Sequence, residues 1–240
     1  QIGFDVDYEF YSTYAASSQA AVLTLLEGLV NNEFNTRFVR DTLIEHVIGK
    51  VIIRTDKATD PYADTPDMGT QLTKLRDIWN ALPSQEQTHD LAQLETGQTT
   101  NYGGLAWVTV VCSSHRYSVA TRAFGQAFWG GAARHEIAHN WSLGHSHRAC
   151  PEENIGIMCG DSSRMHVLEV DSIINHRNSR TCLQNIGPYP FPVAPYAAMD
   201  QLYTTVAGPP APIAGLANDH DANCDELAIS SFDTVSELGG

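Results

Sequence analysis

The stretch His135-Glu136-Ile137-Ala138-His139-Asn140-Trp141-Ser142-Leu143-Gly144-His145-Ser146-His147 constrains this chain more than any other. On a helix, residues four apart share a face, so His135 and His139 present two imidazoles to one point while Glu136 projects beside them. That is half of a metal site, because a catalytic zinc takes three protein ligands and keeps a fourth position for water. His145 is the candidate for the third ligand. For it to reach the ion, the helix must stop and the chain must turn back within 140–144, and Gly144 is the residue expected to take the left-handed conformation of that turn. The competing reading makes these helix-face histidines satisfied by solvent or backbone, with Met158 as core filler. His147 has no assigned role.

The pattern H-E-x-x-H-x-x-x-x-x-H resembles the metzincin zinc endopeptidases, whose motif is H-E-x-x-H-x-x-G-x-x-H followed by a methionine turn. The three histidines and the glutamate match, while the family glycine falls on Ser142 and Gly144 lies two residues later. Gly156-Ile157-Met158-Cys159-Gly160 suits the methionine turn, with Met158 as a packing floor beneath the metal and not a ligand. Asp7-Tyr8-Glu9-Phe10, His89-Asp90-Leu91-Ala92-Gln93-Leu94, Gly104-Leu105-Ala106-Trp107-Val108 with Cys112, and Cys182-Leu183-Gln184-Asn185 resemble the adamalysin (reprolysin) branch over residues 1 to about 187.

The resemblance implies an α/β (α+β) metzincin fold with a five-stranded mixed twisted sheet and a long active-site helix. An upper subdomain would span 1 to about 145. A smaller lower one, about 146 to 187, would carry the methionine turn and a last helix. It further implies a Cys112–Cys182 disulfide, with Cys150 paired to Cys159 around the methionine turn. A calcium ion far from the zinc would be held by Asp90, Asn185 and the carbonyl of Cys182. The family's first-strand glutamate falls on Gln1 here, and the plain alternative for Asp90 and Asn185 is loop capping. The substrate peptide would lie antiparallel to the edge strand, along Gly104, Leu105, Ala106 and Trp107, with Trp107 either walling the cleft or facing the core. The implied chemistry is peptide hydrolysis by zinc-activated water with Glu136 as general base.

Composition narrows the setting. A hydrophobic fraction of 42% suits a packed core, and no run of eighteen apolar residues offers a membrane span. Twenty-eight acidic against fourteen basic residues give a net charge of -14, which repels phosphate backbones and argues against nucleic acid as a partner. Five cysteines, none in a C-x-x-C pair, fit an oxidising compartment with two disulfides and one left over, against the alternative of five reduced thiols in a cytosolic protein. The opening Gln1-Ile2-Gly3-Phe4-Asp5 has no basic start or apolar core, so a signal peptide or propeptide is expected to be absent from this sequence. The expected setting is secreted or at the cell surface.

Along the chain, the alternation in Asp5-Val6-Asp7-Tyr8-Glu9-Phe10 after Ile2 and Phe4 predicts a first strand. Apolar spacing predicts a helix over 17–34 with Ser17 or Ser18 as its cap. Branched residues over 46–54 predict a strand closed by a turn at Asp60-Pro61-Tyr62, and a second helix follows over about 70–82, ended by Pro83. Two apolar runs, 90–94 and 105–112, read as strands. The last helix is expected over 162–178, capped by Ser162 or Ser163, with Met165, Leu168, Ile173 and Ile174 facing inward.

After Gly187 the composition changes. A proline-rich stretch over 188–213 reads as a semi-rigid linker. Residues 214–240 resemble the opening of a cadherin-like or immunoglobulin-like repeat, in which Asp219, Asp221 and Asp225 either ligate calcium or form a solvated acidic turn. The segment is too short for a complete sandwich, so a longer multidomain chain is expected and Cys224 has no evident partner. The alternatives to a secreted endopeptidase are an inactive calcium-binding adhesion protein with a protease-like domain, and a structural zinc domain. The latter would need a fourth protein ligand.

Overall fold

The computed structural model describes residues 1–145, 156–158, 164–187, 216 and 227–229. Contacts divide the chain into two units, Gln1–Gly187 and Pro188–Gly240. The Cys150–Cys159 pairing, Cys224, Ser162, Ser163 and the acidic residues of the tail lie outside the described residues.

The larger unit is a mixed α/β fold on a five-stranded sheet ordered β2-β1-β3-β5-β4. The strands are β1 (Ile2–Val6), β2 (Ile48–Ile53), β3 (Leu91–Thr96), β4 (Gly104–Ala106) and β5 (Tyr117–Thr121). β1 pairs in parallel with β2 and β3, and β3 with β5. β4 pairs antiparallel to β5 at the edge. β5 escaped the sequence reading, which instead carried a strand through 105–112. The strand stops at Ala106, and the chain beyond it takes left-handed turns at Thr109 and Cys112, with φ of 63° and 64°.

β1 is fully buried, Asp5 included. That carboxylate accepts hydrogen bonds from the Tyr62 hydroxyl and Trp79 Nε1, each at 2.9 Å, and pairs with Arg54 at 2.7 Å. The alternation that suggested a strand through Phe10 ends at Asp7. Its side chain accepts from the Phe10 N–H at 2.7 Å and so caps α1 (Tyr8–Tyr14), because a capping carboxylate satisfies a first-turn donor that a strand would lack.

Ser18 caps α2 (Gln19–Leu29), which passes through a π-helical turn over Val30–Asn35 into α3 (Thr36–Thr42). The helical path therefore extends eight residues past the expected end at 34. α4 (Met68–Asn80) is capped by Asp67 and covers one face of the sheet with Leu72, Leu75 and Trp79. The other face packs on α1, α2 and α5 (Gln126–Asn140) through Phe4, Phe10, Leu26, Trp129, Ala133 and Ile137.

α6 (Val167–Asn178) starts five residues later than expected, and its cap is His166, not a serine. The His166 side chain accepts from the backbone while Glu169 reaches back, which makes a capping box. Met165, Val170, Ile173 and Ile174 are buried, but Leu168 is 44% exposed, so the inward position belongs to Val170.

Candidate functional site

α5 crosses beneath the sheet with nearly every side buried, which is why its sequence has no clean amphipathic stripe. Its last two turns carry His135, Glu136 and His139. The helix closes at Ser142. The Ser142 N–H donates to the His139 carbonyl at 3.0 Å, and the Leu143 N–H donates to the Ala138 carbonyl at 3.1 Å. These two bonds make a Schellman motif, whose left-handed position is usually glycine. Here Ser142 holds it, with φ of 91°, while Gly144 is not among the residues of positive φ. The expectation that Gly144 makes the turn is thereby corrected. The Ser142 side chain compensates in part, since its hydroxyl accepts from that of Thr109 at 3.2 Å and meets that of Ser172 at 3.5 Å, while the Ser142 backbone carbonyl accepts from Ser172 at 3.0 Å.

That turn brings His145 back over the helix. His145 Nε2 lies 2.9 Å from His135 Nε2 and 3.1 Å from His139 Nε2. The three imidazoles are one of two clusters of three metal-ligating side chains among the described residues. Ring nitrogens this close cannot all carry protons. His139 Nδ1 lies 2.6 Å from the Leu143 carbonyl, an acceptor only, so Nδ1 bears the hydrogen and Nε2 presents its lone pair. His135 donates to the backbone of Ile157. Burial, with His139 and His145 beside it, pushes His135 down to about 4, and burial also lowers His139. Three imidazoles facing one point, two of them oriented by backbone carbonyls, could hold a metal ion, and this is the kind of donor set that a catalytic zinc takes. The group fits these residues.

Glu136 is 6% exposed and packs against Gly104 of β4, where a Cβ would overlap its carboxylate. Burial raises its pKa to about 8, and positive charge held by the histidines would favour the ionised form. Among the described residues β4 leaves one edge unpaired beside this carboxylate, with Gly104, Leu105 and Ala106 half-buried along it. Trp107 turns away: its ring stacks edge-on against His115 at 5.1 Å, lies under Arg76, and joins the cluster on the α4 face. Of the two roles left open for Trp107, the ring takes the core-facing one.

Residues 156–158 run beneath the histidines, with Ile157 and Met158 buried. Gly156 has φ of 119°, and a side chain there would run into Glu169. Sequence reasoning missed Glu169, whose carboxylate organises this turn. The only signal was its place three residues after His166. Asn140 was missed as well. Its amide donates to the carbonyls of Trp107, at 2.8 Å, and Tyr117, at 3.2 Å, and so ties the end of α5 to the edge-strand segment.

The second cluster is Asp90 with Cys112 and Cys182, but the two cysteines are joined in a disulfide and offer no thiolate. The Asp90 carboxylate meets the Gln1 nitrogen, and the Asn185 side-chain oxygen accepts from the Gly187 N–H at 2.9 Å. Of the calcium ligands expected here, the Asp90 and Asn185 side chains thus meet their own chain.

Comparison with known proteins follows the same lines. No curated protein matches the sequence. A solved structure titled "Structure of a chaperone-substrate complex" is similar at 18% identity and a TM-score of 0.47. The alignment covers 69% of this chain and 28% of that one, a likeness too distant to bear on function. The reprolysin-type model of metallopeptidase family M12 matches residues 1–180, from the first strand through the last helix. On that match the chain belongs to metallopeptidase family M12.

Proposed function

We propose that the chain is a zinc-dependent endopeptidase that hydrolyses peptide bonds in proteins outside the cell, with His135, His139 and His145 holding the metal and Glu136 as general base. The observation that carries this reading is the convergence of three imidazole Nε2 atoms, 2.9 and 3.1 Å apart, beside a buried carboxylate. When bound, zinc lowers the pKa of water and polarises the scissile carbonyl.

The chain's own residues supply the rest. The Glu136 carboxylate takes a proton from the attacking water and passes it to the nitrogen of the departing amine, so that one proton is moved and none is lost. The free edge of β4 binds the peptide through backbone hydrogen bonds, which suits substrates of many sequences. Leu143 and Ile157 hold the ring nitrogens that face away from the metal, and so fix which nitrogen each histidine presents. An extracellular setting is supported by the Cys112–Cys182 disulfide. No helix among the described residues is long and apolar enough to cross a membrane. Calcium at Asp90, Cys182 and Asn185 has no such support and is not part of the proposal.

Incubation with a denatured protein substrate tests the reading. Fragments should accumulate, should stop accumulating when a chelator is added, and should return with added zinc. Hydrolysis that continues in excess chelator would overturn it.

A further inference from the structure

Tyr102, Phe124 and Phe128 are exposed by 61, 47 and 49%. Three large aromatic side chains near the start of β4 present apolar surface that a folded domain ordinarily buries, and such patches mark contact sites. Phe124 and Phe128 form an edge-to-face pair with centroids 5.4 Å apart. The Phe128 ring lies on the backbone of Gly103, where a Cβ would come within 2.5 Å of its Cζ. Tyr102 precedes that glycine and brings the third ring to the same end of β4. The next residue, Gly104, is the one covered by Glu136. Two consecutive glycines thus open the edge strand, one beneath the aromatic pair and one beneath the carboxylate.

The patch is continuous with the unpaired edge along which a substrate strand would add. Phe128 and Glu136 stand eight residues apart on α5, about 12 Å along its axis. Extended peptide rises about 3.3 Å per residue, so the rings meet substrate some two to four residues from the cleaved bond. We propose that Tyr102, Phe124 and Phe128 form an exosite for a large apolar side chain of the substrate polypeptide at that distance. This rests on the endopeptidase reading and adds a preference to it.

The test is a cleavage profile read by mass spectrometry on a denatured protein mixture, for the zinc-loaded wild type and for the double variant Phe124→Ser/Phe128→Ser. Both rings are half exposed, so the variant should fold, and circular dichroism checks this. In the wild type, Phe, Tyr, Leu and Met should be enriched at one position two to four residues from the cut. The enrichment should be about tenfold, the scale on which apolar pockets discriminate. In the double variant it should fall to background there, while preferences next to the cut persist. A profile identical in the two proteins would overturn the exosite and leave the endopeptidase reading standing, whereas no zinc-dependent cutting by the wild type would overturn both.

Discussion

The carboxylate of Glu169 holds the backbone of Met158: its Oε1 accepts the Met158 N–H at 3.0 Å while its Oε2 accepts those of Ile157, at 3.0 Å, and His166, at 2.8 Å. One fully buried side chain therefore fixes both the start of α6 and the turn that contacts His135. Glu169→Ala should destabilise the fold by about 3–5 kcal/mol, because it leaves buried donors without an acceptor. It should also weaken zinc binding by about 10- to 100-fold, since Ile157 orients His135. Thermal unfolding and zinc competition with a chromophoric chelator check the two effects. Wild-type zinc affinity in the variant would show that the turn does not orient the ligand.

Ser142 occupies a backbone conformation that costs a residue with a Cβ about 1–2 kcal/mol. Ser142→Gly should therefore be no less stable than the wild type, even with the contacts to Thr109 and Ser172 lost. A β-branched side chain fits φ of 91° far worse, and Ser142→Val should lose about 2 kcal/mol or more and bind zinc less well. Denaturant midpoints for the pair provide the check, and equal midpoints would refute the strain.

Glu136→Gln should keep one zinc per chain and lose about 10²- to 10⁴-fold in turnover, the range for a removed general base. His145→Ala should instead lose the metal, which elemental analysis of the purified variant reads directly. A fully metal-loaded His145→Ala protein would remove the third ligand from the scheme.

Glu95 is buried between β1 and α5, accepts from Trp129 Nε1 at 2.5 Å, and burial raises its pKa from 4.5 to about 8. The folded protein thus keeps a proton that the unfolded chain releases, so Glu95's contribution to stability is complete below pH 4.5 and is lost as pH rises through about 8. His46 and His89, lowered by burial from 6.5 to about 3 and about 4, act in the opposite sense, but only below pH 6.5. Asp7, raised by burial to about 6, is finished by then. Between pH 6.5 and 8 the zinc-loaded protein should lose about 1–2 kcal/mol of stability. Glu95→Gln should flatten that slope. Thermal midpoints across this range test it, and an unchanged slope in the variant would assign the effect to another group.

Residue type and spacing by themselves singled out the histidine trio that the fold brings together, its companion glutamate and the fold class, because a helix repeat and a zinc ion each accept few arrangements. They also carried the positions of most helices and of β2, where apolar periodicity had no competitor. What they misjudged were ends and turns. Asp7 reads as one step of a strand alternation until Phe10 offers it a backbone N–H, and β5 reads as loop until β3 and β4 flank it. Only the tertiary structure decided that Ser142 and not Gly144 reverses the chain, since the choice depends on Thr109 and Ser172 arriving from elsewhere. Only it gave Glu169 a purpose. A buried carboxylate is worth its desolvation when several donors surround it, and the donors at Ile157 and Met158 lie twelve and eleven residues away along the chain.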